Sequence, residues 1–159
     1  MTNLFNRRNI RYIMSVLFTI VLAYYISMNW YQLMLIQGSS MEPTYHNMQM
    51  VVLDKHTKDY AVGDVIAFNC EKLSSVLVKR IVALPGDSVQ ITDGTLYVNG
   101  RPTDLYPQGI FDEEGVLIEE IILGVGEYIV IGDNVQESKD SRYKEVGVVD
   151  KSTIIGRIL

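Results

Sequence analysis

The chain has 159 residues, 48% of them apolar, and a formal net charge of −5. That length allows one domain with an appendage. Beyond residue 11 it carries 11 basic and 19 acidic residues, which argues against nucleic acid as a partner. The single cysteine, Cys70, excludes an internal disulfide and reads as a small hydrophobe in a strand. No Cys/His cluster indicates a metal, and no motif calls for a cofactor.

The first 11 residues hold Arg7, Arg8 and Arg11 and no acid. From Tyr12 to Met41 there is no Asp, Glu, Lys or Arg. A bilayer core needs roughly 20 mostly apolar helical residues. The pattern predicts a transmembrane helix over residues 12–34, with Trp30 and Tyr31 as interfacial anchors. A charge-free run this long is unusual for a buried core helix. A cleaved secretory signal would have a shorter apolar region and a small-x-small site after it. The arginines precede the span and Glu42 follows it. The positive-inside rule then makes residues 1–11 a cytoplasmic basic N-terminus and residues 35–159 extracytoplasmic.

After the span the chain reads as short strands separated by turns. Strand candidates are Met50-Val51-Val52-Leu53, Val65-Ile66-Ala67-Phe68, Ser75 to Leu84, Ser88 to Ile91, Thr95 to Val98, Gly126 to Ile131 and Thr153 to Ile158. Asp93-Gly94 and Asn99-Gly100 are hairpin signals. The expected fold is mainly β and antiparallel. Residues 101–124 give no clear reading, and Phe111-Asp112-Glu113-Glu114-Gly115 is expected to be an exposed loop.

Three segments depart from ordinary strand sequence. In Gly38-Ser39-Ser40-Met41-Glu42-Pro43-Thr44, Gly38 permits unusual dihedrals and Pro43 fixes a turn, so Ser40 can be presented on a bend. Alone, the run reads as a plain loop. In Val76-Leu77-Val78-Lys79-Arg80-Ile81-Val82, Lys79 shares a strand face with Leu77 and Ile81. Desolvation there would lower its pKa, as a lysine general base requires. The competing reading is a surface lysine with its head in water. Arg80 faces the other way and cannot lose its proton. The third segment, Gly132-Asp133-Asn134-Val135-Gln136-Glu137-Ser138-Lys139-Asp140-Ser141-Arg142, is dense in turn-forming polar groups.

In order and spacing, these segments resemble the conserved boxes of the bacterial type I signal peptidases. The elements that carry the likeness are Ser40-Met41-x-Pro43-Thr44, Val62-Gly63-Asp64-Val65, Lys79-Arg80-Ile81-x-x-Leu84-Pro85-Gly86-Asp87, Gly132-Asp133-Asn134 and Ser138-x-Asp140-Ser141-Arg142. The resemblance implies an antiparallel β-sheet signal-peptidase (LexA-like) catalytic domain and a membrane-bound serine endopeptidase, or hydrolase. It implies Ser40 as nucleophile, Lys79 as general base, and Ser138 orienting the Lys79 amine. Asp133 would pair with Arg80 and Asp140 with Arg142, as structural supports. The oxyanion would be held by the Ser40 N–H and a second donor near Gly38. Ile36, Gln37, Met41, Leu77 and Val78 would line the substrate pockets. Substrates would be preproteins whose signal peptides carry small residues at the first and third positions before the cut. They would bind as an added strand between Leu35–Gly38 and Ser75–Val78. The lipid bilayer is an implied partner, and the export machinery another.

Two positions depart from the family pattern. Gly38 stands where some members have a serine that completes the oxyanion hole. Val135 stands where an arginine usually follows Gly-Asp-Asn. Three other readings compete. One is a self-cleaving repressor-processing peptidase, which the membrane span and acidic outer part oppose. Another makes His46 the base for Ser40. The last is a catalytically idle relative acting as a membrane chaperone for a client such as a pilin.

Overall fold

Among the residues described by the computed structural model, 7–111 and 115–159, one helix stands apart from a β body. Helix α1 is Arg7–Trp30, which at 1.5 Å per residue is about 36 Å long. It is long and apolar enough to cross a membrane, and none of its described side chains belongs to the core clusters of the β body. The helix stops at Trp30, so residues 31–34 are not helical as expected. Tyr31–Leu35 forms strand β1 and pairs antiparallel with β2, Met50–Asp54, in the register Tyr31↔Asp54 to Leu35↔Met50. The Tyr-Gln-Leu-Met-Leu run is as apolar as the helix before it. Only pairing with a segment some twenty residues away makes it a strand.

The remaining strands are β3 Val65–Cys70, β4 Ser75–Ala83, β5 Ser88–Thr92, β6 Thr95–Val98, β7 Arg101–Pro102, β8 Ile121–Ile122, β9 Glu127–Ile131, β10 Val149–Asp150 and β11 Ile154–Ile158. They form a seven-stranded sheet, β1-β2-β11-β3-β4-β9-β10, and a four-stranded sheet, β7-β6-β5-β8. The described pairings are antiparallel, so the mainly-β, antiparallel expectation holds. Both hairpin signals turn where expected. Asp93, Gly94, Asn99 and Gly100 all have positive φ, which two-residue hairpin turns of this kind demand.

Residues 101–124 hold more of the core than their sequence suggested. Tyr106, Phe111, Leu117 and Leu123 are buried with Val82, Val89, Ile91, Leu96, Ile129 and Ile131 between the two sheets. Phe111 is therefore a core residue and not part of an exposed loop. Residues 112–114 of that expected loop lie outside the described residues. A second cluster, around Ile66, Phe68, Ile81 and Val130, fills the sheet's other end, where Cys70 is buried as a small hydrophobe. A third joins Ile36, Met41, Val51, Leu53, Val65 and Ala67 beneath the segment that carries Ser40.

Candidate active site

The loop from Ile36 to Gln49 is closed at its base. The Ile36 N–H donates to the Gln49 carbonyl and the Met48 N–H to the Ile36 carbonyl, both at 2.8 Å. Gly38 has φ +94°, a backbone state that a side chain would strain, and its N–H donates to Asn47 Oδ1 at 2.9 Å. Beyond that bend, buried Met41 anchors the chain in the third apolar cluster and leaves Ser40 beside β4.

On β4, Lys79 is only 3% exposed. Its Nζ lies 2.7 Å from Ser40 Oγ and donates to the Val78 carbonyl at 3.0 Å. Burial lowers the Lys79 pKa to about 8, against an opposing pull from Asp140 and Asp133. Of the two readings of this lysine, the structure selects the desolvated one. His46, by contrast, is exposed, with Nδ1 3.9 Å from Glu42 Oε1, while the Ser40 hydroxyl already has Lys79 as its neighbour.

The polar loop after β9 buttresses this pair. Asp133 holds Arg80 in two bonds, Nε to Oδ1 at 2.7 Å and Nη2 to Oδ2 at 2.5 Å. Arg80 Nη1 also donates to the Gly63 carbonyl at 2.6 Å, which ties the Val62-Gly63-Asp64-Val65 turn to β4. Asp140 and Arg142 form a buried pair, with Nε to Oδ1 at 2.8 Å and Nη2 to Oδ2 at 3.0 Å. Arg142 further donates to the Val135 and Ser138 carbonyls, at 2.8 and 3.2 Å. Asp140 Oδ2 accepts from the Gly132 N–H at 3.2 Å. These bonds satisfy charges that would otherwise be costly to bury. Val135 is buried in the inter-sheet cluster, so the position that departs from the family's arginine anchors the loop by packing.

Ser138 is 3% exposed, and its hydroxyl has no hydrogen-bond partner among the described residues. The expected bond to Lys79 is thus not formed. The hydroxyl nevertheless lies against Gly132, next to the Ser40 carbonyl: a Cβ at Gly132 would collide with both.

Two residues with a part in the site carry no local signal. Asn134 donates its N–H to the Ser40 carbonyl at 3.1 Å and its Nδ2 to the Ser39 carbonyl at 3.2 Å. It staples the Ser40 bend to the polar loop. Tyr106 donates weakly to the Ile131 carbonyl at 3.3 Å and lies 3.5 Å from Asp133 Oδ1, and burial raises its pKa. Asn134→Ala is expected to cost about 1 kcal/mol of stability for the lost side-chain bond. It should also lower kcat about tenfold, because a bend held by fewer bonds positions the hydroxyl less well. Thermal melts and steady-state kinetics check both effects.

A cleft of about 400 Å³ opens beside the pair. Ser40, Lys79 and all five expected substrate residues, Ile36, Gln37, Met41, Leu77 and Val78, line it. Its walls run along Gln32–Gln37 and Ser75–Lys79. Between residues 75 and 79, β4 pairs with β3 on one side, and the β4–β9 ladder covers only Arg80 to Ala83 on the other.

Comparison with known proteins shows which family the chain resembles. The model of the family "Signal peptidase, peptidase S26" matches residues 9–159. The chain belongs to that family. Signal peptidase I U of Bacillus subtilis (strain 168) is 32% identical over 91% of this chain and 82% of its own length. Signal peptidase I of Bacillus licheniformis is 29% identical, over 95% and 88%. Signal peptidase IB of Staphylococcus aureus is 30% identical, over 77% and 73%. The crystal structure of a signal peptidase I from Enterococcus faecalis V583 superposes with a TM-score of 0.52 at 27% identity, covering 64% of this chain and 97% of that one. Membership in the S26 family makes the chain a serine peptidase of the signal-peptide-processing kind.

Proposed function

We propose that Ser40 and Lys79 are the catalytic pair with which the chain cleaves signal peptides from preproteins. The observation that carries this is a buried amine 2.7 Å from a serine hydroxyl in the wall of a strand-lined cleft. The neutral amine of Lys79 takes the Ser40 proton while Oγ attacks the scissile carbonyl carbon. Among the described residues the Ser40 N–H has no acceptor, which leaves it free to hold the developing oxyanion. The Gly38 N–H is engaged by Asn47 and does not serve as the second donor. The Lys79 ammonium then protonates the departing amine, and the mature N-terminus leaves. Lys79 next activates a water, which hydrolyses the ester and returns Ser40. Ser138, whose buried hydroxyl has no partner among the described residues, is the group that comes to receive and orient the Lys79 amine during these transfers.

The substrate lies as a strand between the free edges of residues 35–38 and 75–78, its backbone paired and its side chains choosing the pockets. The cleft wall around Ile36, Met41, Leu77 and Val78 favours small side chains at the first and third positions before the cut. Helix α1 spans the membrane with its arginines inside, and the β body faces outward, close to export sites. Ser40 is then ten residues beyond the helix end, within reach of a preprotein still held in the bilayer. The chaperone reading has no observation of its own, and both residues an idle relative would be expected to lose are present.

The sign of the pH dependence follows from the Lys79 pKa, which folding lowers from 10.5 to about 8. Activity requires the neutral amine, so kcat/KM should rise with pH, reach half its maximum near pH 8 and level off above it. The folded state binds fewer protons than the unfolded chain between about pH 8 and 10.5. Stability therefore rises across that window, and the burial penalty is fully present below it. Ser138→Ala should move the kinetic limb by altering the amine's surroundings. A profile flat from pH 5 to 9 would contradict a titrating lysine base.

A further inference from the structure

Helix α1 passes into β1 with no residue between them. The junction is held by three contacts. The Trp30 carbonyl, a helix-terminal acceptor without a partner in the helix, accepts from the Lys55 N–H at 2.8 Å. The Trp30 ring stacks on the His56 ring, with centroids 4.6 Å apart and planes at 16°. Asp54 fixes the turn that carries His56. Its carboxylate accepts from the His56 N–H at 2.8 Å, the Thr57 N–H at 3.3 Å and Thr57 Oγ1 at 2.6 Å. Asp54 is also paired with Tyr31 in the β1–β2 ladder. Ladder, carbonyl bond and ring stack therefore meet on the residues where the helix ends.

His56 takes no part in the chemistry, since Ser40 Oγ is bonded to Lys79. Its side chain is exposed, so the stack on Trp30 is not a by-product of core packing. We propose that His56, held by Asp54 and stacked on Trp30, is a positioning residue that fixes the angle between α1 and the catalytic body and so aims the cleft at a bilayer-embedded substrate. The proposal rests on the reading that α1 spans the membrane. Helix and substrate then share one bilayer, and their encounter is intramembrane. A fixed junction raises the effective concentration of the cleft at the substrate's height, whereas a loose one spreads it over many orientations. A soluble peptide arriving from water gains nothing from the clamp.

The test uses the full chain reconstituted in phosphatidylethanolamine/phosphatidylglycerol vesicles. Two substrates are compared, a membrane-inserted preprotein and a short soluble peptide with the same cleavage sequence. His56→Ala should raise KM for the preprotein roughly three- to tenfold, the range expected for one lost aromatic stack. The preprotein kcat and both peptide constants should stay unchanged. His56→Phe, which keeps the stack, should restore the preprotein KM. Equal effects on both substrates, no effect on either, or no rescue by Phe would each overturn the proposal. Alkaline carbonate extraction separates the two readings. Release of the protein from the vesicles overturns the spanning helix and the proposal with it. Retention together with a silent His56→Ala overturns the clamp alone.

Discussion

Ser40→Ala and Lys79→Met should each lower the turnover of a preprotein by roughly 10⁴-fold or more, and the double variant should be no worse than either. Non-additivity follows from the geometry. The hydroxyl needs the amine to remove its proton, and the amine has nothing to activate without the hydroxyl, so losing one partner forfeits the function of both. The folded state should survive both changes. Ser40 contributes one half-buried hydroxyl. Lys79 is a burden on stability, because holding its amine near pKa 8 where the unfolded chain has 10.5 costs roughly 3 kcal/mol at neutral pH. Lys79→Met keeps most of the apolar stem and removes that burden, so its melting temperature should not fall and should exceed that of Ser40→Ala. Circular dichroism melts and single-turnover cleavage of a labelled preprotein read both quantities. Either single variant cleaving within tenfold of the parent would remove the pair from the mechanism.

How far this site could be read beforehand depended on how local its determinants are. Strand alternation is local, and it put Lys79 between Leu77 and Ile81, where the structure finds it buried. The Asp133–Arg80 pair was legible only through the family likeness, because residues 53 positions apart in sequence carry no periodic signal, whereas Asp140 and Arg142 are two residues apart and only the burial of their pair is a tertiary fact. Asn134 lies in the Gly132-Asp133-Asn134 element, yet nothing local in the sequence marks its part. Its bonds reach carbonyls of Ser39 and Ser40, and any residue type offers a carbonyl. The helix end was misplaced because an apolar strand and an apolar helix have the same composition. The pairing of Tyr31–Leu35 with Met50–Asp54 decides between them, and that is a tertiary fact. Residues 101–124 failed for a related reason. Tyr106, Phe111, Leu117 and Leu123 enter the core from irregular backbone, so their burial has no period to detect.

Gly132→Ala is expected to damage the catalytic pair without touching either of its residues. A single methyl there would collide with Ser138 Oγ and with the Ser40 carbonyl. The Ser138 side chain could turn away, but the carbonyl belongs to the backbone of the Ser40 bend and is already held by the Asn134 N–H at 3.1 Å. Gly132 cannot retreat freely either, since its N–H donates to the buried Asp140 carboxylate. The strain must therefore displace Ser40 from Lys79, and kcat should fall by about 10²-fold for a shift on the order of 1 Å. Stability should drop by about 1–3 kcal/mol, the usual cost of overpacking. Gly124→Ala is the control. The nearest atoms to its added carbon are those of the Glu127 carboxylate, at 3.0 Å. That is the far end of a side chain whose bond to the Gly124 N–H is exposed and far from Ser40 in the chain, so the change should leave kcat unchanged and cost little stability. Adding Ser138→Ala to Gly132→Ala relieves one collision and leaves the other. If the Ser40 carbonyl is the contact that matters, the double variant stays as slow as Gly132→Ala. Recovery of kcat in the double variant would instead place the damage at Ser138 and leave the Ser40 bend unmoved.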